Sequence, residues 1–424
     1  MKHGILILVV CIAVLVLLFW RAIGPVAKER GLVLKSVEHP SAPSQLWGAS
    51  YLKRAGVEMG RNGGYSPDNG RTWEYLPIKP NFDSKLPRGY RRNEMSGFVD
   101  PENGRIVKIV IAMDTPDLDS TIIEPPIGLE SYYLRYRVSV DGGKTFLFDE
   151  PVVQKGKTPE NPFDGVFRGK NAIFLGDAGS QIIRTRRGDI IVPAQACILA
   201  PDGKLANPGG GFTWTAALMV IGRWVPDNRL EWRASEPIVG DPACTTRGMI
   251  EPTLAELPDG RILCVMRGSN GGSKDPDCKL PSYRWFAVST DGGFHWSKPE
   301  PLTYEDGTPF YSPSSMSQLL KHSSGRIFWI GNLSETNCRA NDPRYPLVIG
   351  EVDRKTLRLI RKSVLIIDTK LPEESGLNLS HFWGLEDRET KDIVIVGRRF
   401  KDKYVDESTG WSQSPPVVYR IAVP

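Results

Sequence analysis

One eight-residue pattern occurs three times in this chain and constrains the fold more than any other feature. It reads S-x-D-x-G-x-(T/H)-(W/F), at residues 66–73, 139–146 and 289–296. Each copy describes a tight hairpin turn. The Asp carboxylate accepts bonds from the N–H groups of its own turn, the Gly takes a positive φ that other residues resist, and the closing aromatic enters the next strand and packs beneath it. A single match would carry little weight, but three in one chain point to a repeated unit.

A second turn type alternates with the first, at Gly104, Gly188, Gly260 and Gly325 and again near Glu389–Ile393. Each of these turns joins two apolar runs that read as strands. Degenerate relatives of the first turn follow at 227–232 and 353–359. One turn of each kind joins four strands, which is a propeller blade. Five such units are visible, and a sixth is expected to combine the N-terminal strands, up to the first box, with the C-terminal strand at 417–423. The abundance of Gly (42) and Pro (34) suits short strands and turns.

Residues 4–20 form an uninterrupted apolar run behind Lys2, the pattern of a secretory signal or an uncleaved signal anchor. The expected organisation is an apolar helical signal or anchor at 1–24, a linker at 25–46 and one all-β propeller at 47–424. The protein is therefore expected to be exported, either membrane-anchored through that segment alone or secreted or periplasmic. Five cysteines lie in the body with no C-x-x-C pair, so neither a dense disulfide framework nor a zinc site is indicated. The net charge of +5 is mild, and the Lys and Arg residues are scattered without a basic stripe, which argues against nucleic acid and weakly favours an anionic ligand. No cofactor or metal is implied.

The repeated boxes resemble those of the sialidase superfamily, the BNR or Asp-box proteins, over nearly the whole body from about residue 47. The resemblance implies a six-bladed sialidase-type propeller that acts on a terminal anionic sugar of a glycan. It implies three arginines holding the sugar carboxylate, because planar guanidinium forks match a carboxylate bidentately. It also implies a Tyr–Glu nucleophile pair and an Asp acid/base.

Carried onto this chain, the strongest match is residues 250–267, where Glu251 opens one strand and Arg267 ends the next across the Asp259-Gly260 turn. Arg344 matches the third arginine, with Arg339 as the alternative. The first falls on Arg92, with Arg91 as the alternative. The acid/base Asp is expected on the 114–119 loop, with Asp117 and Asp119 the candidates beside Asp114. Residues 377–385, where the nucleophile would stand, contain no Tyr, which leaves Tyr345 or Tyr311 as possible substitutes and His381 as a possible base or ligand. The implied activity is exo-glycosidase action on sialic acid or a related sugar. The alternatives are uronate hydrolysis or lyase action on the same ring, or a glycan-binding propeller without catalysis.

Overall fold

The computed structural model describes residues 31–61, 63–116, 127–400 and 414–424. The apolar run at 4–20, Asp117 and Asp119 lie outside these residues. Among the described residues no helix is long and apolar enough to cross a membrane.

The chain forms six antiparallel sheets that follow one another around a ring. The first blade comprises Ser50–Tyr51, Met59–Arg61, Gly64–Ser66 and Glu74–Tyr75, and the second Tyr90–Val99, Ile106–Asp114, Tyr133–Ser139 and Asp149–Pro151. The third has an inner edge split into Ile173–Leu175 and Ile183–Arg184, both pairing with Ile190–Cys197, followed by Thr215–Val225 and Arg229–Ala234. The fourth contains Ile250–Glu256, Ile262–Arg267, Arg284–Ser289 and Glu300–Pro301, and the fifth Gln318–Lys321, Ile327–Asn332, Leu347–Glu351 and Leu365–Asp368. The sixth takes Phe382–Glu386, Ile393–Arg398 and Pro416–Ala422 from the end of the chain and Val33–Glu38 from its beginning.

The closure differs from the expected one. The strands leading to the first box make a complete blade of their own. The strand that joins the two ends of the chain is Val33–Glu38, with Val33 opposite Ala422 and Glu38 opposite Val418. It lies within the stretch read as a linker. Its burial alternates only weakly, because it is the outermost strand with one edge in solvent, and this explains why its period-2 signal is faint.

The hydrophobic core lies between blades. In the third blade Ile190, Val192 and Ala194 pack toward the second blade, while their neighbour Ile191 packs toward the fourth. Successive side chains on a strand point to opposite faces. A strand with both faces covered therefore reads as an unbroken apolar run, as Ile190–Cys197 does. The fourth and fifth blades meet through Val265, Phe286 and Trp329, and the fifth and sixth through Phe328, Ile330, Phe382 and Ile395. The first blade, with strands of two or three residues, has the thinnest seams, where Leu52, Val99 and Ile106 meet on one side and Trp383, Val394, Val396 and Val418 receive Leu46 and Trp47 on the other.

All three boxes share one geometry. Asp68, Asp141 and Asp291 each accept the backbone N–H four residues on, at 2.8, 2.9 and 3.1 Å. In each, the Ser two residues earlier bonds the Asp carboxylate and accepts the N–H of a turn glycine at 2.9 Å. Every box joins the third strand of its blade to the fourth. The degenerate turns at Asp227 and Asp353 occupy the same place in the third and fifth blades.

Candidate functional site

The fourth blade opens with a local distortion. Glu251 has φ +48°, in the left-handed region that non-glycine residues resist, and the pairing with the next strand slips between Ile250 and Thr253. Its N–H is turned to Gln195 Oε1 of the third blade, at 2.7 Å. Gly176 lies against it so closely that a Cβ there would sit 2.4 Å from Glu251 Cγ. The bulge thus aims the Glu251 carboxylate away from the ladder, toward the partner strand's last residue.

That residue is Arg267. Its guanidinium is held on all three nitrogens: Nη1 donates to Glu251 Oε1 at 2.5 Å, Nε to Ser314 Oγ at 2.8 Å and Nη2 to Asn341 Oδ1 at 3.3 Å. The 312–315 loop that presents Ser314 is fixed from beneath by Arg284, which donates to the Ser315 carbonyl at 2.7 Å and to Ser312 Oγ at 2.9 Å. Arg284 is fully buried, and burial, with Arg267 nearby, pushes it down to about 9.

Arg344 enters ahead of the third strand of the fifth blade and donates to Ser380 Oγ at 3.0 Å. Asn332 Nδ2 holds the Arg344 carbonyl at 3.1 Å, so this Asn, formally part of an N-x-S sequon, is a buried structural residue. Burial lowers the Arg344 pKa, and the charge of Arg267 lowers it further, against the opposing effect of Glu251 and Asp177.

A third arginine completes the group. Arg247 stands on the loop leading into the fourth blade, four residues before Glu251. Its Nε and Nη2 both donate to Thr213 Oγ1, at 3.2 and 2.9 Å. Burial pushes Arg247 down to about 9, and the charges of Arg267 and Arg344 add to that shift.

The break in the inner edge of the third blade supplies a second carboxylate. Its 176–182 loop carries Asp177, whose Oδ2 lies 3.0 Å from His381 Nδ1 at the entrance to the sixth blade. Desolvation alone would raise the Asp177 carboxyl, but the bond and charge of His381, with the Ala178 N–H and Arg267, hold it below its ordinary value. The third and sixth blades are opposite one another in a ring of six, so this pair crosses the axis.

Of the residues singled out from sequence, the structure brings Glu251, Arg267, Arg344 and His381 together. Arg92 lies on the inner strand of the second blade, in a cluster built on Asp114. It donates to Asp114 Oδ1 at 2.5 Å, and Tyr133 and Arg168 bind the other carboxylate oxygen. Asp114, the described member of the acidic loop, is thereby committed to that cluster. The Tyr345 ring packs against the apolar seam between the fifth and sixth blades. Tyr311 stacks on Tyr283, centroids 6.0 Å apart. Arg247 and Asp177 escaped the sequence reading. Arg247 had one available signal, an Arg-Gly just ahead of the strand that Glu251 opens. Asp177 had none, because its loop interrupts a strand.

A six-bladed ring stapled by Asp boxes, with arginines of the fourth and fifth blades gathered near its axis, is a sialidase-type β-propeller. The chain belongs to the BNR repeat-like domain family, whose pattern it matches over residues 98–365. Similar solved structures include a protein of unknown function from Dyadobacter fermentans, 12% identical with a TM-score of 0.55, the match covering 93% of this chain and 100% of that one. The NanB sialidase of Streptococcus pneumoniae is 13% identical with a TM-score of 0.53, covering 91% of this chain and 70% of that one. The intramolecular trans-sialidase of Ruminococcus gnavus is 14% identical with a TM-score of 0.51, covering 84% and 86%. Likeness at this level of identity is likeness of fold. No curated protein sequence matches the chain.

Proposed function

We propose that this protein is an exo-acting glycosidase that takes a terminal carboxylate-bearing sugar, sialic acid or a relative, at the axis of its propeller. One observation carries the reading. Arg247, Arg267 and Arg344 converge on Glu251, and the guanidinium groups of Arg247 and Arg344 are both pushed below their ordinary range there. Like charges held largely out of water repel, and the three carboxylates that act on the group, Glu251, Asp177 and Asp342, do not balance three arginines with a fourth beneath them. A bound carboxylate supplies the missing charge, and each charged hydrogen bond to it contributes about 1.5–3 kcal/mol.

In this reading the three arginines hold the carboxylate and orient the sugar ring. Glu251 Oε2 is buried and has no hydrogen-bond partner among the described residues, and in this reading it is the acceptor that takes the proton of the reacting water. Water adds to the anomeric carbon, its proton passes to Glu251, and the glycosidic bond breaks with its electrons on the leaving oxygen. Asp117 or Asp119 is the proposed donor of the proton that oxygen takes. With the Tyr345 ring in an apolar seam and no Tyr in residues 377–385, direct attack by water is preferred to a Tyr nucleophile.

The same absence of a Tyr favours one second reading, a propeller that binds an acidic sugar without cleaving it. Fluorogenic sialosides and uronides, assayed beside calorimetric binding of the free sugar acids, test both. Turnover of one class supports the glycosidase. Binding without turnover supports the second reading, and neither binding nor turnover contradicts both.

A further inference from the structure

Phe212 is an anomaly beside this site. Its ring is 65% exposed, whereas the side chains of Arg267 and Glu251 are 10% and 14% exposed. A lone exposed aromatic is ordinary on a protein surface. This one sits next to Thr213, the residue that anchors Arg247, and the Arg247 guanidinium carbon lies 5.6 Å from the ring centroid.

The loop that presents the ring is braced. It reads Pro-Gly-Gly-Gly-Phe at 208–212. Lys274 Nζ donates to the Pro208 carbonyl at 2.7 Å, and the Ser273 N–H to the Gly210 carbonyl at 2.8 Å. The Gly211 N–H donates to the Thr246 carbonyl at 3.0 Å, and a Cβ at Gly211 would meet that oxygen at 2.5 Å. Glycine lets the loop press against the residue preceding Arg247. The chain therefore fixes a large apolar ring in water, at a set distance from a half-buried cation, with no core for it to fill.

Resting on the reading of the arginine group as a sugar-acid site, we infer that Phe212 is the platform for the second sugar ring of the substrate. The acidic ring is drawn into the buried arginine group, so the rest of the glycan leaves toward solvent past the more exposed rim. A hexose presents polarised C–H bonds on one face, and the face of an aromatic ring carries the matching negative quadrupole. Phe212 thus selects a glycoside with a following pyranose over the free acid, and so determines specificity without taking part in bond cleavage.

The test compares wild type, Phe212→Ala and Phe212→Trp by calorimetry. The probes are free N-acetylneuraminic acid, free glucuronic acid and the non-hydrolysable S-linked galactoside of each. For whichever acid is bound, wild type is expected to hold the galactoside more tightly than the monosaccharide. Phe212→Ala should lose about five- to tenfold on the galactoside alone, the scale of one aromatic contact. Phe212→Trp should keep the preference, and all three proteins should melt alike because the ring is exposed. Unchanged galactoside affinity in Phe212→Ala, or an equal loss on the monosaccharide, overturns the platform while leaving the arginine site intact. Wild type that binds no probe at all overturns the arginine site and the platform with it.

Discussion

Asp177 Oδ2 and His381 Nδ1 meet at 3.0 Å from opposite blades of the ring, so one hydrogen-bonded pair spans its axis. Gly179 of the same loop lies against the Ser317 carbonyl at the entrance to the fifth blade, and Ala178 packs against the fifth and sixth. The break in the third blade's inner edge thus ties three blades together beside the arginine group. Because Asp177 is held below its ordinary value, its contribution to stability is present above the unfolded carboxylate pKa, about 3.9, and is lost as pH falls through the folded value. Asp177→Asn should lower the melting temperature near neutral pH and flatten the acid limb of the melting-versus-pH curve. Parallel curves for variant and wild type below pH 5 would remove Asp177 from that limb.

The arginine group makes a separate prediction. Lys carries the charge but not the planar fork. Arg267→Lys loses its bonds to Ser314 and Asn341 as well as the bidentate grip. Arg247→Lys, Arg267→Lys and Arg344→Lys should each weaken binding of an acidic sugar about tenfold or more, one or two charged hydrogen bonds in scale. Arg92→Lys, acting in the Asp114 cluster, should change affinity far less. An Arg92 effect as large as that at Arg247, read by the same calorimetric titration, would exchange their roles.

In the third box His295 stands where the other two have Thr. Asp291 is lowered to about 2; burial opposes this, but the side-chain and backbone bonds of His295 outweigh it. The bond and charge of Asp291 raise His295. The Asp291 share is present above its unfolded pKa, about 3.9, and is lost as pH falls toward the folded value. The His295 share is present below its unfolded pKa, about 6.5, and is lost as pH rises through its raised folded value. His295→Thr should abolish the limb at higher pH and keep the acid one, as followed by melting across pH. Asp141→Ala, which removes the bonds to Thr145 in the second box, should cost about 1 kcal/mol in denaturant unfolding without changing sugar affinity.

Ring closure orders two truncations. Removing residues 416–424 takes out the third strand of the sixth blade, with buried Val417, Tyr419 and Ile421, and leaves Val33–Glu38 without a partner. Removing residues 33–38 takes only an outer, half-exposed strand. The first deletion should abolish cooperative unfolding and the second should lower the melting temperature while preserving it. Equal melting of both truncated chains would contradict the observed pairing.

The repeat was legible because its chemistry is local. The bonds of Asp68, Asp141 and Asp291 lie within their own turns, so the sequence motif and the structure are the same object. Glu251 and Arg267 were legible for a similar reason, since one hairpin joins them. Long-range closure was not, because Val33–Glu38 is paired on one side only and its pattern is weak. Arg247 and Asp177 join the site through loops, whose paths depend on contacts with other blades, and no periodicity records those contacts. Arg92 was placed on an early strand one Gly turn ahead of a box, and that strand is the inner one of the second blade. Its partner there is Asp114, which ends the neighbouring strand of the same blade.

The arginine group is proposed to hold a sugar carboxylate. Calorimetric titration of the protein with a free sugar acid and with its neutral methyl ester tests it most directly. The expected result is binding of the acid, loss of at least about tenfold for the ester, and the same loss for the acid in Arg267→Lys. Equal affinity for acid and ester, or wild-type affinity in Arg267→Lys with an unchanged melt, would contradict it.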